Sequence, residues 1–280
     1  MLRLSTVAPA SVMGLPDRDG VMAQAGSENF TVASALVGHE RQRHLRAIYG
    51  FARLVDDVGD EAAGNRMALL EVVADELARV YDGAPRHPVM VELQRTVRAC
   101  RLPSGPFNRL IEANRVDQIQ TRYRTFEQLL GYCQLSAAPV GELVLHVFSA
   151  ATPARIALSD RICAGLQVVE HLQDIAEDHA RGRVYMPEED LVRFGCNDDD
   201  LAGGDTAAKR ALVAFESDRA RRLLSAGAPL ARTLPPRPRL AIAGFVAGGR
   251  AALDALQDGS GSSRRTPRIA YWLGRSALGR

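Results

Sequence analysis

Apolar residues recur at three- and four-residue spacing along most of the chain, in segments 43–59, 66–82, 88–100, 106–122, 126–150, 154–179, 207–226, 237–257 and 267–278. That period puts them on one face of a helix, so each segment predicts an amphipathic α-helix. No stretch alternates with the period of a strand, and no hairpin turn or internal repeat interrupts the pattern. "TFEQ" at 125–128 reads as a capping box, with Thr125 at the N-cap and Gln128 three residues on. "TPAR" at 152–155 offers Thr152 as a cap and Pro153 at the first helical position. Breakers fall at "YDGAPRHP" (81–88), "LPSGP" (102–106), "GCNDDDLAGGD" (195–205) and "LPPRP" (234–238). Gly248-Gly249 weakens the 237–257 helix. The pattern predicts one all-α domain over residues 27–280. Residues 1–26, mixed from Pro, Gly, Ser and Ala, read as a flexible and dispensable N-terminal tail. "AQA" at 23–25 resembles a signal-peptidase site, but "PDRDG" at 16–20 puts charges where an apolar stretch should be.

Within the 154–179 segment, "EHLQDIAEDHARGRVYMP" sets Glu170, Asp174 and Asp178 four residues apart, with Gln167 nearly in line. Residues four apart are neighbours on a helix face, so three like charges repel along one stripe. The other faces are apolar, with Ile162, Leu166, Val168, Val169, Leu172 and Ile175. One such stripe is as well explained by a solvated face as by a site. A second one, in "YGFARLVDDVGDE" at 49–61, shifts the balance. It sets Asp56 and Asp60 four apart beside Phe51, Leu54 and Val55, with Arg53 a turn earlier. Asp57 and Glu61 form the adjacent, ordinary face. Two inward-facing carboxylate pairs make a strongly negative cavity, which hard divalent cations and their phosphate ligands suit. His171 and His179 each follow a stripe carboxylate by one residue and are expected to point elsewhere, and no Glu-x-x-His pair signals a di-iron bundle. The expectation is Mg²⁺ held by Asp56, Asp60, Glu170, Asp174 and Asp178, with a phosphorylated substrate.

Composition narrows the classes. The 280 residues carry a formal net charge of +2, which argues against a dedicated nucleic-acid binder. Cys100, Cys133, Cys163 and Cys196 are scattered without a C-x-x-C pair, so neither a zinc site nor a disulfide framework is signalled, and a reduced cytoplasmic setting fits. No run approaches about 20 apolar residues.

With these motifs the chain resembles the squalene/phytoene synthase family of head-to-head isoprenoid synthases. The family's first motif, D-x-x-x-D, is Asp56 and Asp60; the second is Asp174, Asp178, Arg183, Tyr185 and Pro187. "YCQLSAAPVGELVL" at 132–145 matches the segment between them, and the likeness runs from about Asn29 to Trp272. "ENFTVAS" (28–34) and "LSAAPVG" (135–141) look like the bacterial hydroxysqualene synthase branch. The chain departs from the wider family at Glu170, usually Asn, at Gln173, usually Arg, and at Pro139, usually apolar.

The resemblance implies a helical bundle of the isoprenoid-synthase type around a central cavity. It implies that presqualene diphosphate loses its diphosphate with Mg²⁺ and that water captures the cation. A presqualene diphosphate synthase would supply the substrate, and a flavin-dependent reductase would consume the product. The catalytic set would be Asp56, Asp60, Asp174, Asp178, Tyr132 and Arg53. The substrate-binding set would be Phe30, Tyr49, Arg53, Asp117, Val140, Gln167, Arg183 and Tyr185. Phe51, Leu143 and Val147 are further candidate walls, each as readily plain core, and Ser136 and Gln167 are candidates to hold the water. Two alternatives stay open: condensation of two prenyl diphosphates, and a non-catalytic helical protein binding a lipid or partner. The basic, aromatic segment at 263–280 fits either contact with the inner face of a membrane or a docked final helix.

Overall fold

The computed structural model of the protein describes residues 14–23 and 38–257. Phe30, "ENFTVAS" and the 263–280 segment lie outside them. The helices are α1 (Arg18–Ala23), α2 (His39–Asp60), α3 (Arg66–Asp82), α4 (Pro88–Cys100), α5 (Ser104–Val116), α6 (Phe126–Ser136), α7 (Ala138–Val147), α8 (Pro153–Gln173), α9 (Ile175–Ala180), α10 (Glu188–Phe194), α11 (Asp198–Leu201), α12 (Ala207–Gly227) and α13 (Pro236–Gln257). A 3₁₀ turn, Ala228–Thr233, joins the last two. Extended pairing among the described residues is confined to one parallel bridge, Arg122 with Val184.

The caps act as the sequence predicts. Thr125 accepts from the N–H of Gln128 and Thr152 from that of Arg155, with Pro153 opening α8. Gln128 reaches back to the N–H of Arg124 rather than to that of Thr125, at 2.9 Å.

Four expectations change. The segment 126–150 is two helices, α6 and α7, meeting at Ala137 (φ −112°). Pro139 explains this: it has no N–H to donate and is accommodated in the first turn of a new helix. The segment 154–179 breaks at Asp174 (φ −106°, ψ 13°) into α8 and α9. No proline is involved. The break turns a stripe of mutually repelling acids into the start of α9, where Glu177 and Asp178 meet the positive end of the helix dipole. Helix α13 is continuous through its glycine pair. A Cβ on Gly249 would stand 2.7 Å from Leu166 Cδ2, so Gly249 is the contact that lets α13 approach α8.

The fourth change is at the N-terminus. Of residues 1–26, the stretch 14–23 is packed and not a loose tail. Val21 is fully buried and Leu15 nearly so. The ring Nε2 of His87 lies 2.9 Å from the Pro16 carbonyl, and Arg18 bridges to Glu92 at 2.8 Å. Two apolar anchors suffice here, each stabilising by roughly 1.5–3 kcal/mol, and the polar composition hid them.

The core runs through α2, α4, α5, α7 and α8, with Phe51, Leu54, Met90, Phe107 and Leu143 sealed inside. Helix α12 lies along α8, and α5 packs across α2. These contacts fix α2 and α8, which carry the two acidic motifs.

Candidate active site

Helix α2 presents Asp56 and Asp60 one turn apart. Asp56 is reachable by water although protein surrounds it closely. Burial pushes its carboxyl up to about 7, against the hydrogen bond from Asn114 Nδ2 to Oδ1 at 3.0 Å, and Asp60 adds to the rise. Asp60 is matched by Arg183, whose Nη1 lies 2.7 Å from Oδ1. Burial opposes the Arg183 charge, but Tyr185, Asp60 and Asp117 together hold the guanidinium above its ordinary range.

Asp117 caps the end of α5 and is the hub of the site. Its Oδ2 accepts from the hydroxyl of Tyr132 at 2.6 Å and its Oδ1 from that of Tyr185 at 3.2 Å. Burial raises the Asp117 carboxyl, and these two donors offset part of the rise. Both tyrosines are themselves pushed up, chiefly by burial, so each keeps its proton at neutral pH. Tyr185 is stacked between the ring of His171 (3.9 Å, 14°) and that of Tyr123 (5.8 Å, 20°), with Tyr132 tilted at 5.5 Å. Val184 docks this strand-like segment by donating to the Thr121 carbonyl at 2.8 Å.

The second motif straddles the break after α8. Glu170 and Asp174 are exposed, and Asp178 is half-buried. Burial raises the Asp174 carboxyl, and Asp178 and Glu177 raise it further. No hydrogen bond or ion pair reaches that carboxylate among the described residues. A small cavity beside the motif is lined by His171, Asp178, Arg183 and Tyr185 on its polar side and by Ile175 and Leu201 on its apolar side.

The two motifs meet at Arg183. Its side chain holds Asp60, and its N–H donates to the Asp178 carbonyl at 2.9 Å. They do not merge. Among the described residues, no three of His, Cys, Asp or Glu stand close enough to hold one ion. Of the expected set, Asp56 and Asp60 lie on α2, Glu170 on α8, Asp174 at the break and Asp178 on α9. Arg183, not another carboxylate, faces Asp60. The donors still suit Mg²⁺: all are hard carboxylate oxygens, and burial together with neighbouring carboxylates raises Asp56 and Asp174.

Other residues separate into site and scaffold. Arg53 turns to the neighbouring face of α2, with Nε 2.7 Å from Asp57 and Nη2 3.3 Å from Glu61, so these ion pairs do not point it at Asp56. The geometry is the reason: a residue four before Asp57 shares the stripe of Asp57. Tyr49 is buried on the same helix. Phe51, edge-on to Phe107 at 5.0 Å, Leu143 and Val147 are core. Val140 and Gln167 keep partial access. Ser136 donates to the Tyr132 carbonyl at 3.3 Å.

His171 corrects an expectation. It is buried, stacks on Tyr185, and sets Nδ1 3.8 Å from Asp178 Oδ2 and Nε2 3.5 Å from Gln167 Nε2. It stands seven positions before Asp178, across the break at Asp174, and the bend of the chain there rather than continuous helical spacing brings the two together. Asn114 and Tyr123 were also missed. Neither has a spacing partner in sequence; only the crossing of α5 over α2 brings Asn114 to Asp56.

The family description Squalene/phytoene synthase matches residues 23–271. A crystal structure of squalene synthase HpnC from Alicyclobacillus acidocaldarius is 42% identical with a TM-score of 0.80, covering 85% of this chain and 91% of that one. A hydroxysqualene synthase from Rhodopseudomonas palustris is 35% identical over 176 residues, 62% of this chain and 60% of that protein. A phytoene synthase from Mycobacterium tuberculosis is 30% identical over 205 residues, 71% of this chain and 67% of that protein. A dehydrosqualene synthase structure, at 21% identity and a TM-score of 0.83, shares the fold. Among the described residues, no helix is long and apolar enough to cross a membrane. Sequence, helical architecture and paired acidic motifs agree: the chain belongs to the squalene/phytoene synthase family, with its likeness running to the hydroxysqualene synthase branch.

Proposed function

We propose that this enzyme takes presqualene diphosphate as its only organic substrate and, with Mg²⁺, releases diphosphate and forms hydroxysqualene. The observation that carries the reading is the cation inventory of the second motif. Gln173 stands beside Asp174 where condensing relatives have Arg, and Arg181 is committed to Glu177 at 2.9 Å. Holding two diphosphates at once calls for more positive charge than this motif supplies. The hydroxysqualene synthase from Rhodopseudomonas palustris adds support through its similarity.

Mg²⁺ bound by the carboxylates of Asp56, Asp60, Glu170, Asp174 and Asp178 would neutralise the charge developing on the leaving diphosphate. The protein's own groups then have defined work. Arg183 offers its guanidinium to the phosphate oxygens from its place against Asp60. Tyr132 and Tyr185, kept protonated by burial and oriented by Asp117, are donors where negative charge grows. The C–O bond breaks with its electron pair leaving on the diphosphate. The carbocation rearranges, water adds to it, and the water's second proton is released. The buried aromatic group of Tyr123, Tyr132, Tyr185 and His171 shields one side from bulk water. Ser136 and Gln167 remain the candidates to hold the single water. A presqualene diphosphate synthase before this step and a flavin-dependent reductase after it complete the proposed route, in the cytoplasm or at the inner face of the membrane.

Presqualene diphosphate and farnesyl diphosphate, each incubated with Mg²⁺ in water enriched in heavy oxygen, separate the readings. Labelled alcohol from presqualene diphosphate alone is the expected result. Consumption of farnesyl diphosphate without a second enzyme would replace the proposal with the condensing reading.

A further inference from the structure

We propose that Asn114 is a positioning residue that holds Asp56 in its metal-facing orientation, and that Gly59 exists to admit it. This rests on the metal reading above. Asn114 belongs to α5, 58 residues along the chain from Asp56, and is buried in the crossing of α5 over α2. Its Nδ2 donates to Asp56 Oδ1 at 3.0 Å, with a longer contact of 3.4 Å to the Leu110 carbonyl of its own helix. One carboxylate oxygen is thereby fixed, and Oδ2 has no hydrogen-bond partner among the described residues.

The approach is close because nothing stands between the helices. A Cβ on Gly59 would lie 2.0 Å from Asn114 Oδ1, 2.9 Å from its Cγ and 3.2 Å from its Cβ, so a side chain here would force Asn114 to shift. Glycine inside a helix costs about 1 kcal/mol relative to alanine, so its place here needs a compensating contact. Just past the end of α5, Gln118 Nε2 donates to the Gly59 carbonyl at 3.0 Å. That carbonyl lies in the last turn of α2 and has no helical partner of its own. Asn114 and Gln118 thus hold the end of α2 at two points, Asp56 and the Gly59 carbonyl. The clamp is neutral, so it orients Asp56 without cancelling the charge a cation needs. A lysine or arginine in this place would do the opposite.

The test is isothermal titration of Mg²⁺ into the full-length protein with inorganic diphosphate present, for wild type, Asn114→Leu and Asn114→Ala. Asn114→Leu keeps the volume and removes the donor; Asn114→Ala removes the donor without adding charge or bulk, and covers the case in which the leucine variant fails to fold. A hydrogen bond to a charged group predicts roughly tenfold weaker Mg²⁺ affinity in both. Turnover should recover most of its wild-type value at saturating Mg²⁺. A merely structural role predicts a lower melting temperature with unchanged Mg²⁺ affinity in the folded fraction, and that result overturns the inference. If wild type itself binds no Mg²⁺ with diphosphate, the metal reading fails and takes the inference with it. If wild type binds and both variants bind equally, the inference alone fails.

Discussion

The two acidic motifs look alike in sequence and differ in their surroundings. Asp56 and Asp60 sit at the C-terminal end of α2, each with a named partner, Asn114 and Arg183. Asp174 and Asp178 sit at a helix break, one exposed without a partner among the described residues and the other beside a histidine ring at 3.8 Å. The first motif is built into the crossing of α5 over α2, where Asn114 holds one of its carboxylates. The second lies where the backbone has already left helical geometry. Identical spacing therefore encodes a rigid half and an adjustable half of one site, and the difference comes from what packs against each helix.

The comparison breaks most sharply on charge removal. Asp56→Asn and Asp174→Asn should each lower turnover by roughly a hundredfold or more, since each removes a ligand charge from metal-assisted departure. Stability should separate them. At pH 8 Asp56 is ionised against its burial, so Asp56→Asn should raise the melting temperature of the metal-free protein. Asp174→Asn, in an exposed position, should leave it within about a degree. Equal shifts in the two melting curves would show that both motifs have the same surroundings.

Arginines sharpen the contrast next. Arg183→Gln leaves Asp60 facing an uncharged group at a half-buried position, and should cost roughly tenfold or more in kcat/KM along with a lower melting temperature. Arg181→Gln removes an exposed pair with Glu177 on the adjustable half, and should change either quantity little, because such pairs contribute about 0–1 kcal/mol. A large loss of kcat/KM for Arg181→Gln would move the diphosphate contact to that residue.

A smaller effect tests the hub between the halves. Tyr132 bonds Asp117 at 2.6 Å and Tyr185 at 3.2 Å. Tyr132→Phe should therefore reduce turnover more than Tyr185→Phe, by roughly three- to tenfold against less than threefold. The reverse order, measured under saturating Mg²⁺ and substrate, would make Tyr185 the principal donor.

What the sequence discloses follows the same division. Helical periodicity located the long helices, and spacing within a helix identified both acidic pairs, because such information is local. Spacing also misdirected. Counting four from Arg53 reaches Asp57, which is where its ion pair lies. His171 meets Asp178 across the break at Asp174, where helical counting does not apply. The partners that tune the motifs were illegible for a different reason. Asn114 and Asp60's Arg183 lie 58 and 123 residues from the carboxylates they meet, and only the packing of α5 and the return of the 183–188 segment bring them there. The break at Asp174 has no glycine or proline to announce it.

The smallest effect uses a third carboxylate as a reference for Asp56. Glu216 is sealed inside, and burial pushes its carboxyl up to about 8 despite Arg219, with Asp190 adding to the rise. Arg219 donates to both acids, at 2.8 Å from Glu216, with its guanidinium 4.4 Å from the rings of both Phe126 and Phe215. Asp56 is raised at a position open to water; Glu216 is raised in a closed cluster with Arg219, Asp190 and two phenylalanine rings. In each case the folded chain holds a proton that the unfolded chain releases near its ordinary carboxylate value, so stability is greatest at low pH and falls as pH rises. For Glu216 the fall extends from about pH 4.5 to about pH 8. Glu216→Gln should therefore flatten the decline of melting temperature across that window while leaving turnover within about twofold. Asp56→Asn should flatten the lower part of the window and abolish turnover. A Glu216→Gln protein with an undiminished slope would mean that Arg219 keeps Glu216 ionised in the folded state, and a loss of turnover would place this cluster inside the catalytic apparatus.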